Sequence, residues 1–218
     1  MKQLHLSHGL NLKPSKLDDL SKALNRSAVI HSLSDHANKS LNLSGIGQWD
    51  RWQNETIQWV KSFNIETDVL AYSISAPLIL NALNETNIKI NKLILISPAF
   101  FPRYSTLTKK FLNTIKFNFY VPSFNSKSDR CASWIQSDLY REVFNQLVVP
   151  KSVSAKETLL LMHRYDEILN TKQTLDWAKR QNVQYLELKT PLFPPFHATY
   201  KPERLPIDVL QAYLNSKS

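Results

Sequence analysis

Three short runs, Asp68–Tyr72, Lys92–Ile96 and Thr158–Met162, are apolar almost throughout, and the chain between them carries apolar residues at helical spacing. A strand with one wet face alternates polar and apolar residues; one that does not alternate is covered on both faces. Strands covered on both faces and joined through helices belong to a parallel sheet, so the class is α/β: a mostly parallel sheet flanked by helices. The remaining elements fit that rhythm. Strands are expected at Gln3–Leu6, Ala28–Ser32 and Gln184–Leu188. Helices are expected at Ser15–Leu24 (with Pro14 just before it), Trp49–Phe63, Ser75–Leu83, Lys172–Gln181 and Pro206–Leu214, and a polar loop at Ser34–Ser40. Between Phe100 and about Ser154 the rhythm breaks into an aromatic-rich stretch that reads as largely helical. An insertion there emerges at the carboxyl edge of the sheet, where ligands bind in such folds. The 218 residues suit one domain, 1–218, with an insertion at about 100–154.

Composition narrows the class. An apolar share of 43% with 21% charged residues is that of an ordinary globular protein. Its single cysteine, Cys131, excludes an internal disulfide and lacks the companions of a metal-binding cluster. No stretch approaches the roughly 18 apolar residues of a membrane span. Met1-Lys-Gln-Leu-His-Leu6 also lacks the apolar core of a signal peptide, so a cytoplasmic location is expected. The net charge of +9 raises the question of an anionic partner, yet the lysines (Lys13, Lys16, Lys22, Lys61, Lys89, Lys92 and others) are spread along the chain. A nucleic-acid reader would show a basic stripe or a known module; a solvated cationic surface is expected instead.

The chemistry centres on Thr67-Asp-Val-Leu-Ala-Tyr-Ser73-Ile-Ser-Ala-Pro-Leu-Ile-Leu80. An apolar strand stops at Ser73 and a helical pattern starts at once, which presents a hydroxyl at the tip of a strand-to-helix turn. Such a turn strains its central residue and needs small neighbours two positions away on each side. Here those are Ala71 and Ser75 rather than the glycines of G-x-S-x-G. Pro77 falls in the first helical turn, where its missing N–H costs nothing. Asp166 follows a second strand, in Leu159-Leu-Leu-Met-His-Arg-Tyr-Asp166, and His197 follows the last, in Pro191-Leu-Phe-Pro-Pro-Phe-His197. The first strand runs into His8-Gly9-Leu10.

With these four features, in the order Ser, Asp, His, the chain resembles the α/β-hydrolase superfamily over nearly its whole length. It is most similar to small bacterial esterases and to lysophospholipase-like or serine-aminopeptidase-like members. The first strand would correspond to the family's third, with the leading hairpin absent. The resemblance implies that His8-Gly9-Leu10 is the oxyanion loop, Ser73 the nucleophile, Asp166 the acid, His197 the base and residues 100–154 the lid. The backbone N–H groups of Leu10 and Ile74 would receive the oxyanion. The implied activity is a serine hydrolase cleaving a carboxylic ester through an acyl-enzyme, without a cofactor. A small acyl ester is the expected substrate; delivery on an acidic carrier protein would suit the cationic surface. Thioesterase or amidase chemistry would use the same groups. A non-catalytic binding relative and a protein of anionic lipid surfaces are the contrasting classes.

Rivals exist for each role. Ser75 could be the tip, though Ser73 and Pro77 would then flank it, a poorer turn. Glu167 could replace Asp166, one step deeper in the loop. His5 and His31 lie within strands and read as structural, His163 as packing, His36 as a surface loop residue, and His8 as support for the oxyanion loop. The insertion's aromatics could contact an acyl group or simply pack, and Arg103 and Arg130 could meet an anionic headgroup or carrier.

Overall fold

A computed structural model describes residues 3–36, 47–115, 117–123, 125–189 and 193–216. Residues 37–40 of the expected polar loop, and Pro191 and Leu192 ahead of His197, lie outside the described residues. Six strands, β1 (Leu4–Ser7), β2 (Ala28–His31), β3 (Asp68–Tyr72), β4 (Ile90–Ile96), β7 (Ala155–His163) and β8 (Gln184–Leu188), form one sheet in the order β2-β1-β3-β4-β7-β8. Every pairing in it is parallel.

The unbroken apolar runs explain why. In β3, Val69 and Ala71 join one buried cluster while Leu70 and Tyr72 join another. In β4, Leu93 and Leu95 part from Ile94 and Ile96 in the same way, and in β7 so do Leu160 and Met162 from Leu159 and Leu161. Alternate side chains point to opposite faces, so each face needs its own apolar cover. Helices α2 (Gln48–Val60), α3 (Ser75–Thr86) and α6 (Thr171–Arg180) cover the first face; α1 (Asp18–Ala23) and α7 (Ile207–Asn215) cover the second. The expected helix at 15–24 is divided, with a 3-10 turn at Pro14–Leu17 leading into α1.

One lysine is misplaced by the reading of a uniformly solvated cationic surface. Lys92, on the central strand β4, is fully buried. Its ammonium donates to the carbonyls of Tyr213 (2.5 Å) and Ser216 (2.6 Å) and to Ser216 Oγ (2.6 Å), with Glu157 at 3.8 Å. A buried ammonium persists only when its donors are all used. Here they close the carbonyl end of α7 and fasten that helix to the sheet.

The segment between β4 and β7 is less helical than its aromatic spacing predicts. It holds α4 (Ser105–Thr114) and α5 (Ser137–Gln146), but between them runs an antiparallel ribbon, β5 (Tyr120–Pro122) with β6 (Trp134–Gln136). Its strands are three residues long and pair across the eleven residues 123–133, too little for a period to register. The ribbon turns Val121 and Ile135 inward, and Tyr120, Pro122 and Trp134 to the other side.

Candidate active site

The carboxyl ends of β1, β3, β7 and β8 each run into a loop carrying one of the residues singled out above. Ser73 sits between β3 and α3 with φ = 55°, a left-handed conformation in a residue that has a Cβ. That conformation costs roughly 1–2 kcal/mol, so its surroundings must impose it. They do so with backbone bonds: Ser73 N–H donates to Ile96 O (3.0 Å), and Ser73 O accepts from Ala76 (3.2 Å) and Ala99 (3.0 Å).

Ser75 is a brace for this turn. It is fully buried, and its hydroxyl accepts from Tyr72 N–H (3.0 Å) and lies within donating distance of Ser7 O (2.9 Å) and Tyr72 O (2.8 Å). The side chain standing where glycine is usual ties the end of β1 to the turn, and its oxygen is occupied by backbone. Gly9 is required by close approach: a Cβ there would lie 2.6 Å from the Tyr72 ring and 3.1 Å from Ser73 Cβ.

Ser73 Oγ lies 3.1 Å from His197 Nε2, and His197 Nδ1 lies 2.8 Å from Asp166 Oδ2. A carboxylate only accepts, so Nδ1 is the donor to Asp166 and Nε2 is the ring atom that faces the Ser73 hydroxyl. Asp166 is fully buried. Burial alone would raise its pKa, but the charge and hydrogen bond of His197, with the N–H groups of Leu169 and Ile168 (2.9 Å each), hold it below the usual carboxylate value. The chain thus brings Ser73, His197 and Asp166 into one hydrogen-bonded line.

Glu167 has a different place from Asp166. Its Oε2 accepts from the backbone N–H groups of Phe196 (2.9 Å) and His197 (3.1 Å), while Tyr72 OH donates to His197 O (2.9 Å). The backbone of His197 is therefore clamped on both sides. His163 stacks on Phe196 with ring centroids 4.4 Å apart and accepts from Tyr165 N–H.

The loop after β1 carries Leu10, and α3 begins beside Ile74. Neither residue's N–H finds a protein acceptor among the described residues, and both residues border the same cavity as Ser73 and His197. Ile74 precedes the first turn of α3, where the free N–H groups and helix dipole favour negative charge. Of the loop's supports, the sequence pointed to His8 but not to His36 or Asn11. His36, read as a surface residue, is buried and accepts Asn11 N–H at Nε2 (3.0 Å) while Nδ1 faces Ser34 O (3.1 Å). His8 accepts Leu33 N–H and faces Gly9 O (2.9 Å). Burial lowers the pKa of His36 to about 4 and holds that of His8 well below its ordinary value, so both rings are neutral. Asn11, φ = 56°, reaches across to the β4–β7 segment: its amide donates to Ser123 Oγ (2.7 Å) and Ala132 O (2.8 Å) and accepts from Ala132 N–H (2.7 Å). A polar loop residue that satisfies a distant segment leaves no local signal.

The cavity has a volume of about 370 Å³ and a nearly apolar lining. From the β4–β7 segment, Phe111, Phe119, Tyr140, Phe144 and Leu147 line it, whereas Phe100 packs on Trp177 in the core and Phe117, Tyr120 and Trp134 do not reach it. Arg103 spends its Nε on Leu169 O (2.9 Å), which pins the segment's root beside Asp166. Burial raises the Cys131 thiol to about 11, leaving it protonated. No group of three metal-binding side chains occurs among the described residues, nor any helix long and apolar enough to cross a membrane.

No protein-family model matches the sequence, and no curated protein is similar to it by sequence. Solved structures do match. A metagenome-derived lipolytic enzyme from work on LipS and LipT aligns over 97% of this chain and 92% of its own, with TM-score 0.70 and 12% identity. The esterase EaEST of Exiguobacterium antarcticum aligns over 99% and 92%, with TM-score 0.62 and 12% identity. A thioesterase domain from the curacin biosynthetic pathway aligns over 99% and 90%, with TM-score 0.62 and 11% identity. The chain has the α/β-hydrolase fold.

Proposed function

We propose that the protein is a serine hydrolase that cleaves carboxylic esters of apolar acyl groups. The observation that carries this reading is the unbroken line from Ser73 Oγ to His197 Nε2 and from Nδ1 to Asp166. A serine hydroxyl becomes nucleophilic when an imidazole takes its proton as it attacks. Ser73 Oγ would add to the ester carbonyl while Nε2 accepts the proton, and Asp166 would stabilise the resulting imidazolium and hold its tautomer. The oxyanion would meet the N–H groups of Leu10 and Ile74, an interaction whose loss typically costs about 10²–10³ in rate. As the carbonyl re-forms, the alkoxide would leave with the proton from Nε2. Water would then repeat the sequence on the acyl-enzyme, releasing the acid and restoring Ser73.

The apolar cavity supports an acyl group of some length, with residues 100–154 acting as its lid and excluding water from the acyl-enzyme. Labelling with a fluorophosphonate tests the proposal directly. The full chain is expected to become covalently modified at Ser73 and to hydrolyse p-nitrophenyl esters of medium chain length faster than the acetate; Ser73→Ala is expected to abolish both. An unlabelled wild-type chain, or labelling that survives Ser73→Ala, would overturn it.

A further inference from the structure

The outer side of the same β4–β7 segment also carries large apolar side chains. Tyr104, Leu107, Phe111, Phe117, Tyr120 and Trp134 are all more than half exposed. Leu107 and Phe111 lie one turn apart on a face of α4, and Tyr104 directly precedes the helix. Phe117 and Phe111 both meet Phe119 edge-on, with centroids 6.3 and 6.4 Å apart, and Tyr120 and Trp134 share the outward face of the ribbon. Phe111 also lines the cavity, so this surface borders the mouth of the site. A contiguous apolar surface of this kind on one element marks a contact with something else.

Charge identifies what that something is. Between Glu85 and Asp129 the sequence contains no acidic residue, and residues 100–128 carry five basic ones, Arg103, Lys109, Lys110, Lys116 and Lys127, among eight aromatics. The ammonium groups of Lys109, Lys110 and Lys127 have no partner among the described residues. A second copy of the chain would bring the same cations against themselves. An acidic protein would match the charge but would need an apolar face of its own shaped to the aromatics. An anionic lipid surface matches both at once, since aromatic side chains settle at the headgroup boundary and lysines reach the phosphates.

We infer that residues 104–134 dock the protein onto anionic phospholipid surfaces, with the cavity mouth facing the lipid. The inference deepens the proposed hydrolysis by naming where its acyl substrates reside, and it rests on that reading only for the meaning of the cavity.

Co-sedimentation of the full chain and of Ser73→Ala with vesicles tests it without turnover. Both are expected to bind vesicles containing about one-third phosphatidylglycerol, to bind pure phosphatidylcholine at least tenfold more weakly, and to release as salt rises toward about 0.5 M. Leu107→Glu with Trp134→Glu should weaken binding at least tenfold, and reversing Lys109 and Lys110 about fivefold per lysine, with circular dichroism and thermal midpoint unchanged. Absence of binding, equal binding to both vesicle types, or binding that neither pair of variants weakens would overturn the inference. So would a dimer in sedimentation that the Leu107 and Trp134 variant dissociates. Vesicle binding without fluorophosphonate labelling would sink the hydrolase reading and leave docking intact; labelling without vesicle binding would do the reverse.

Discussion

His197 depends on its neighbours for more than its acid. Asp166 orients the ring, but the ring's position relative to Ser73 follows from its backbone, which Glu167 and Tyr72 hold from opposite sides. Removing the Glu167 carboxylate frees the N–H groups of Phe196 and His197 together, so the imidazole samples positions out of reach of Ser73 Oγ. Glu167→Ala is therefore expected to lower kcat roughly tenfold with KM little changed, in keeping with misplaced catalytic geometry. Glu167→Gln keeps an acceptor oxygen and should restore most of the rate; failure of that rescue would show that the charge, not the clamp, matters. At this scale the sequence was informative about residue type and order. Ser73, Asp166 and His197 could be picked out because each chemistry-bearing residue follows a strand. The distinction between Asp166 and Glu167, and between Ser73 and Ser75, depends on which carboxylate meets a ring and which hydroxyl meets backbone, and adjacent positions in a loop do not encode that.

The loop from His8 to Lys13 is held as an element, and its main fastener is Asn11. That one side chain makes three hydrogen bonds to Ser123 and Ala132, and its backbone N–H is taken by His36. The loop that presents Leu10 N–H is thereby joined to the segment roofing the cavity, and Asp129 extends the join to the His197 side by accepting from Tyr200 OH (2.6 Å). Asn11→Ala would leave Ala132 unpaired and place a residue with a Cβ at φ near 56° without the amide that favours it. It should cost about 1–3 kcal/mol in urea unfolding and reduce kcat. Asn11→Gly keeps the backbone conformation but not the bonds, so it should recover only the strain and remain slow; full recovery would mean that strain alone set the loop. The sheet strands were legible because burial on both faces writes itself as a continuous apolar run. The ribbon was not, because three-residue strands are too short for a period to register, and this loop was not, because its side-chain bonds reach partners more than a hundred residues away.

Four of the six histidines, His5, His8, His31 and His36, gather at the β1–β2 side of the molecule, and burial lowers the pKa of each. His31 and His36 fall to about 4, against an ordinary value of 6.5. His31 stacks on Trp59 at 4.4 Å, His5 meets Trp59 and Phe63, and His8 and His36 lie 4.7 Å apart. These rings act as apolar packing and as hydrogen-bond acceptors, roles that need them neutral. The unfolded chain takes up protons on them below pH 6.5, while in the folded chain His31 and His36 resist until about pH 4 and His5 and His8 are shifted in the same direction. Stability from this corner is therefore complete above pH 6.5 and declines as pH falls from 6.5 toward 4, by up to about 1.4 kcal/mol per pH unit for each of His31 and His36. Asp166 also favours the folded state, but its lowered pKa acts only below the ordinary carboxylate value, so the window from 6.5 to 4 belongs to the histidines. Urea midpoints measured between pH 7.5 and 4.5 should be level above 6.5 and fall steeply beneath it. His31→Phe keeps the stack on Trp59 without the titration and should remove one proton's worth of that slope. A midpoint that stays level through pH 5, or a slope that His31→Phe leaves unchanged, would show that these rings are not held neutral by the fold.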